Sequence, residues 1–94
     1  MFYLSTPCPA CSAGAVGFRR CSDGRSIVLM CNECDAVWLQ PDAVTLESVI
    51  FPTAPDYAVA GLECSVASPS ADWAGRDEIT AVGWERFIAG EGGA

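Results

Sequence analysis

The chain has 94 residues, near the lower end of the size at which one domain buries enough apolar surface to fold unaided. Five arginines and no lysine stand against twelve acidic residues, and the net charge of −7 disfavours phosphate backbones and favours basic partners. No stretch approaches the ~20 apolar residues of a membrane span, and the N-terminus lacks the regions of a signal peptide. We therefore expect a soluble cytoplasmic protein, whose six cysteines stay reduced.

The first third of the sequence predicts a β-hairpin. Residues 16–21 and 26–30 are rich in β-type residues, and Ser22-Asp23-Gly24-Arg25 separates them. Asp-Gly in that position is a strong hairpin signal, since both central residues of a type I′ turn need a positive φ. A third strand is predicted at residues 36–39.

The middle of the chain is harder to assign. Residues 43–51 contain several β-branched residues that favour a strand, although Pro41-Asp42 can also open a short helix. Residues 52–72 form a Pro-rich segment in which Pro and Gly are spaced so that we expect no regular element. A loop of this length inside a small domain either packs on the sheet or binds something.

The C-terminal segment predicts a short helix over residues 75–83. Gly75 can occupy the N-cap, Asp77 and Glu78 complement the dipole of the first turn, and Gly83 suits a left-handed stop. A helix of this length needs packing against the sheet to persist. A second short turn is expected around residues 84–88, followed by a mobile tail at residues 90–94.

Four cysteines form the motif that carries chemistry, C-x2-C-x19-C-x2-C, at Cys8, Cys11, Cys31 and Cys34. Each Cys-x-x-Cys turn brings two sulfurs within reach of one ion, and the hairpin between them can bring the two turns together. The spacing therefore predicts one structural Zn²⁺ in a tetrahedral site of four thiolates. An iron–sulfur centre uses the same ligands and is not excluded by spacing alone.

Catalysis is not expected of this sequence. Four thiolates close the coordination shell of zinc, whereas catalytic zinc keeps a position for water. The chain contains no histidine, which removes the commonest general base. The adjacent acids Asp77 and Glu78 are more simply explained by the helix dipole than by acid–base work. No small-molecule substrate is evident.

Two cysteines lie outside the motif. A bridge between Cys21 and Cys64 is disfavoured by a reducing compartment, and Arg19 or Arg25 can in principle lower the pKa of Cys21 and make it reactive. Burial of both thiols is the simpler expectation.

The two knuckles resemble those of the zinc-ribbon family named after the zinc finger of transcription factor IIB, which is widespread in small bacterial proteins. The resemblance rests on Cys8-Pro9-Ala10-Cys11 and on Cys31-Asn32-Glu33-Cys34 leading into Ala36-Val37-Trp38-Leu39, and it covers residues 7–42. It implies zinc on the four cysteines and a core position for Trp38. Residues 43–94 resemble no family.

The fold class that follows is a small metal-stapled α+β domain over residues 1–94. A zinc-ribbon hairpin and antiparallel strands occupy residues 7–42, and residues 43–94 form an extension that contains the Pro-rich loop and the short helix.

The expected function is a zinc-binding module for protein interaction, with an acidic, Trp-bearing C-terminal half that meets a basic partner. One version is an inhibitor or immunity-type protein, since opposite charge speeds association. The candidate partner-binding residues are Tyr57, Trp73, Asp77, Glu78, Trp84 and Glu85. The alternative is a transcription-associated nucleic-acid-binding ribbon that uses Arg19, Arg20 and Arg25 near the hairpin tip, although three arginines make a thin phosphate footprint.

Overall fold

A six-stranded antiparallel sheet forms the centre of the computed structural model, which describes residues 1–62 and 64–92. The elements in chain order are β1 (Phe2–Pro7), β2 (Ala15–Arg20), β3 (Ile27–Cys31), β4 (Val37–Trp38), β5 (Ala58–Val59), β6 (Cys64–Ser65), β7 (Asp72–Trp73), α1 (Arg76–Ala81), a 3₁₀ turn (Glu85–Phe87) and β8 (Gly90–Glu91). None of these helices is long and apolar enough to cross a membrane.

The sheet is built around the predicted hairpin. Its strand order is β4-β3-β2-β1-β8, and β7 also pairs with β2. Strands β2 and β3 pair in continuous register from Val16 opposite Cys31 to Arg20 opposite Ile27. The other edge of β2 is shared, because β1 pairs with its first half and β7 pairs with Arg19 and Arg20.

The hairpin turn differs in detail from the prediction. Gly24 has a φ of 74°, but Asp23 does not take a positive φ, so the turn is not of type I′. Instead, the Asp23 carboxylate accepts hydrogen bonds from the backbone N–H groups of Arg25 and Ser26, at 2.9 and 2.8 Å. The Ser26 hydroxyl also donates to this carboxylate, and it is the main cause, with the two backbone donors, that lowers the pKa of Asp23 to about 2. The aspartate is needed here for its side chain rather than for its backbone freedom.

Strand β3 is apolar along its whole length because both faces of the sheet are covered. All five of its residues are buried, and they alternate between two apolar clusters. Ile27, Leu29 and Cys31 belong to the first cluster, whereas Val28 and Met30 belong to the second. Successive side chains of a strand point to opposite faces of the sheet, and here both faces are covered, so all of them are apolar.

The first cluster lies between the sheet and the C-terminal helix. Ile79 of α1 is fully buried there together with Phe18 and Trp38. Gly75 is the N-cap of the helix, as predicted, and its N–H donates to the Glu78 carboxylate at 2.9 Å. The predicted second turn is the 3₁₀ turn, and Gly83 takes the left-handed stop with a φ of 79°.

The second cluster lies between the sheet and the Pro-rich segment. Val59, Cys64 and Val66 of that segment are buried against Val28 and Val37. The expectation of no regular element in residues 52–72 was wrong, because β5 and β6 form a small antiparallel sheet there and Asp72 begins β7. Of the two alternatives for this segment, packing on the sheet accounts for its buried residues.

Residues 43–51 do not form the predicted strand. The segment runs as turns and bends, with a single bridge between Val37 and Ile50. The indole N–H of Trp38 donates to the carbonyl of Thr45 at 2.8 Å, and Trp38 itself is fully buried, in the core position that was expected. The segment therefore wraps around the tryptophan instead of extending the sheet.

The expected mobile tail is partly ordered into the sheet. Gly90 and Glu91 pair with Tyr3 and Phe2 as β8, at the far edge of β1. Gly90 allows this close pairing, because a Cβ there would lie 2.6 Å from the Tyr3 hydroxyl. Residues 93 and 94 of the predicted tail lie outside the described residues. The antiparallel sheet and the short C-terminal helix agree with the predicted α+β class.

Candidate metal centre

The four motif cysteines meet in one cluster. The Sγ atoms of Cys8, Cys11, Cys31 and Cys34 all lie within 4.8 Å of one another. The Cys8–Cys34 sulfurs are 3.7 Å apart and the Cys11–Cys31 sulfurs are 3.6 Å apart. Four sulfurs at the zinc–sulfur distance in a regular tetrahedron have edges of about 3.8 Å. The Cys8–Cys34 and Cys11–Cys31 distances are close to this value, and the whole cluster is compact enough to surround one metal ion.

Two backbone turns of the same design hold the sulfurs. In each turn the residue directly after the second cysteine takes a positive φ, namely Ser12 at 61° and Asp35 at 65°. The N–H of Cys8 donates to the carbonyl of Gly14 at 3.1 Å, and the N–H of Cys31 donates to the carbonyl of Ala36 at 2.9 Å. These bonds close each turn and aim its two cysteines toward the same point.

The hairpin brings the two turns together. Strand β2 leaves the first turn and β3 enters the second, so the register of the hairpin sets the distance between Cys11 and Cys31. Asn32 fixes this junction, since its amide oxygen accepts from the N–H of Ala15 and its own N–H donates to the Ala15 carbonyl, both at 3.0 Å.

The local environment lowers the pKa of one of the motif cysteines and raises the pKa of two others. Backbone N–H groups of Ala13 and Gly14 lower the pKa of Cys11 to about 6, whereas burial raises the pKa of Cys34 to about 12. Burial also raises the pKa of Cys31, although its sulfur accepts from the N–H groups of Glu33 and Cys34 at 3.3 and 3.5 Å. A divalent cation among the sulfurs would stabilise the thiolates that burial disfavours.

The burial of the four cysteines is typical of a structural metal site and not of a site that is open to solvent. Cys8 and Cys31 are buried, and Cys11 and Cys34 are half-buried. Cys8 and Cys31 belong to the first apolar cluster, and Cys11 and Cys34 pack against it. A bound ion would therefore tie both knuckles to the core.

Two residues of this centre were not predicted. Gly14 lies against Cys31, because a Cβ at Gly14 would fall 2.4 Å from the Cys31 Sγ. Asn32 appeared in the sequence only as a residue between two cysteines. The only sequence feature that distinguishes Asn32 is its position inside a Cys-x-x-Cys turn. That position does not indicate which residue of β2 it contacts.

The predicted partner-binding residues are placed on different parts of the molecule. Tyr57 is exposed in the Pro-rich segment, and Trp73 packs against the second apolar cluster. Trp84 packs against the first cluster.

The three predicted acids also differ in their surroundings. Glu78 pairs with Arg20 at 3.2 Å, and Glu85 pairs with Arg76 at 3.4 Å. Asp77 is exposed and has no ion-pair partner among the described residues.

The three arginines considered for nucleic acid do not share a surface. Arg19 is buried and bonds to the carbonyl of Val66, whereas the Arg20 guanidinium is engaged by Glu78. Only Arg25 is exposed at the hairpin tip. The three arginines are close in sequence. Arg19 and Arg20 are successive residues of β2 and point to opposite faces of the sheet, whereas Arg25 lies in the turn.

Cys21 and Cys64 lie beside one another in the second apolar cluster, and both are buried and free. Burial and the neighbouring Cys64 raise the pKa of Cys21 to about 12. The idea that Arg19 or Arg25 activates this thiol is therefore wrong, because burial outweighs the opposing effect of Arg19.

Comparisons with protein-family models, with curated proteins and with solved structures gave no match.

Proposed function

We propose that this chain is a zinc-binding module for protein interaction, in which one Zn²⁺ on Cys8, Cys11, Cys31 and Cys34 stabilises the scaffold. The observation that carries the proposal is the compactness of the four-sulfur cluster. The resemblance of residues 7–42 to the transcription factor IIB zinc-ribbon family is part of this proposal.

Zinc fits these ligands and their surroundings better than a redox role does. The four sulfurs form a single cluster instead of two separate dithiol pairs, and they are packed against the apolar core. Four thiolates complete the shell of the ion and leave no position for a catalytic water. The metal then acts as a cross-link between the two knuckles.

The protein-interaction role is supported by an exposed apolar surface where the C-terminal half meets the ribbon. An apolar depression of about 330 Å³ is lined by Leu39, Leu62, Val82 and Trp84. Leu39 and Val82 expose 38% and 41% of their surface. The exposed Asp77 lies on the helix whose C-cap is Val82, and the chain as a whole carries a net charge of −7. A basic partner, such as the target of an inhibitor or immunity-type protein, is the class that this net charge favours.

The nucleic-acid alternative loses support from the arrangement of its arginines. Arg19 and Arg20 are committed to contacts within the chain, and one exposed arginine is a small footprint for a polyanion.

The metal is tested by elemental analysis of protein purified without added metal. We expect one zinc per chain, and loss of both zinc and cooperative unfolding in Cys34→Ser, because metal binding is coupled to folding. Cys64→Ser is the matched control, since it removes a buried thiol outside the cluster and should keep the zinc. Iron with visible absorbance, or full zinc content in Cys34→Ser, would contradict the proposal.

A further inference from the structure

Arg19 is the one charged side chain that is buried among the described residues, with 6% of its surface exposed. Its Nε donates to the carbonyl of Val66 at 3.1 Å. Its Nη2 donates to that carbonyl at 2.8 Å, to the Ser68 hydroxyl at 3.1 Å and to the Ala71 carbonyl at 3.4 Å. All of these acceptors are neutral, and the nearby carboxylates of Asp72 and Asp35 act on the charge without a hydrogen bond to it. The ring of Trp73 lies 4.9 Å from Cζ of Arg19.

The remaining nitrogen of this guanidinium is unused. Nη1 carries two N–H groups, and neither has an acceptor among the described residues. In the same part of the chain, no side-chain nitrogen or oxygen is both wholly buried and unpartnered. Nη1 is therefore not completely enclosed by the protein. Arg19 lines a depression of about 300 Å³.

The depression presents three kinds of surface around Arg19. Met30 and Val66 supply apolar walls, and Tyr57 supplies an aromatic ring. Asp35 supplies a carboxylate, which is exposed and has no ion-pair partner among the described residues. A guanidinium and a carboxylate thus line the same small depression, with apolar surface beside them.

We propose that this depression binds a small zwitterion, an α-amino acid with an apolar side chain. The ligand carboxylate accepts from Nη1 of Arg19, the ligand ammonium faces Asp35, and its side chain lies against Met30, Val66 and Tyr57. A carboxylate that meets a buried guanidinium with two free N–H groups forms a charge-assisted hydrogen bond. This site uses none of the four cysteines but adjoins the metal centre, because Asp35 directly follows Cys34. The inference goes beyond the proposed protein-interaction function.

A dianionic ligand fits the same depression less well. Phosphate would bring two negative charges next to Asp35, in a protein whose net charge is already −7. A monovalent carboxylate with its own ammonium group avoids this repulsion and uses both charged groups of the site.

The ligand class is tested by calorimetric titration of the zinc-loaded full chain with L-leucine. We expect saturable one-to-one binding with a Kd of about 1 mM or tighter. Leucinamide lacks the carboxylate and should bind about tenfold more weakly, whereas 4-methylpentanoate lacks the ammonium and should lose about two- to fivefold. Equal binding of N-acetyl-leucine would point to the C-terminus of a peptide and overturn the zwitterion assignment, as would tighter binding of inorganic phosphate.

Point variants distinguish a loss of ligand binding from a loss of folding. Asp35→Asn should weaken L-leucine about two- to fivefold and should not weaken 4-methylpentanoate, whose carboxylate loses a repulsive neighbour. Asparagine tolerates the positive φ of this position. Glu47→Gln removes an exposed carboxylate outside the depression and is the matched control. Arg19→Lys should abolish binding, with folding checked by its melting curve. No binding of L-leucine up to about 10 mM, or an unchanged affinity in Asp35→Asn, overturns the proposal whether or not Arg19→Lys folds.

Discussion

Glycine is required at position 14 because there is no room for a side chain, and not because of its backbone conformation. It does not take a positive φ, so an alanine could adopt its backbone angles. A Cβ at this position would nevertheless lie 2.4 Å from the Cys31 Sγ and 2.9 Å from the Asn32 Oδ1. Both neighbours hold the second knuckle in place, so the knuckle would have to move to make room.

Gly14→Ala is therefore expected to weaken zinc binding, by about tenfold or more, because overpacking displaces one of the four sulfurs. Competition with a chromophoric chelator measures the change. Ala13→Ser is the control, since it alters an exposed neighbour in the same turn and should keep the affinity of the parent protein. An unchanged affinity in Gly14→Ala would show that the Cys31 sulfur moves without cost.

Residues of the candidate centre differ in how far the sequence predicts them. The four cysteines are predicted by spacing alone, because two short turns and a hairpin define their own geometry. Gly14 and Asn32 act on residues brought near by the register of β2 and β3, which spacing does not reveal. The nucleic-acid alternative places Arg19 near the hairpin tip, but Arg19 is buried and bonds to the carbonyls of Val66 and Ala71, which lie far from it in sequence.

Helix α1 depends on one buried side chain. It has six residues, too few for a helix to persist in water without packing. Ile79 is its single buried residue and is fully covered, in the cluster that also contains Phe18 and Trp38. The apolar contact of this helix with the sheet therefore centres on Ile79.

Ile79→Ala should lower the free energy of unfolding by about 2–5 kcal/mol, because it removes buried methyl groups and leaves a cavity. Denaturant titration of the zinc-loaded protein measures this loss. Val82→Ala, at the exposed end of the same helix, should change the unfolding free energy by less than about 1 kcal/mol. Equal effects of the two substitutions would contradict the central role of Ile79.

Elements with a strong local signal were predicted well, and elements that depend on distant pairing were not. The hairpin and the capped helix carry their own start and stop residues, and both are present. Strand β8 forms because Gly90 and Glu91 pair with the free edge of β1. The pair β5–β6 is stabilised because Val59 and Cys64, which lie opposite one another, are buried against the sheet. Neither contact is visible in a local window of sequence.

At the scale of the whole molecule, charge is the property that selects partners. The net charge is −7, and four thiolates with one Zn²⁺ would add a further −2, giving about −9. Two of the predicted acids are already paired with arginines, so the field must come from carboxylates that stay exposed, of which Asp77 is the one predicted at the interface. Glu78 is a poor probe of this field, because it also accepts the N–H of Gly75 at the start of the helix.

Asp77→Lys is therefore expected to slow association with a basic protein partner and to make the rate less sensitive to salt, while zinc content and melting stay nearly unchanged. The partner is first isolated from the source cell on immobilised zinc-loaded protein, and its association is then followed at several salt concentrations. Glu47→Lys makes the same change of net charge in residues 43–51, which contain none of the predicted partner-binding residues, and should slow association less. Equal rates for both variants would place the interface elsewhere, and recovery of a nucleic acid that binds the parent protein but not Arg25→Ala would favour the alternative function.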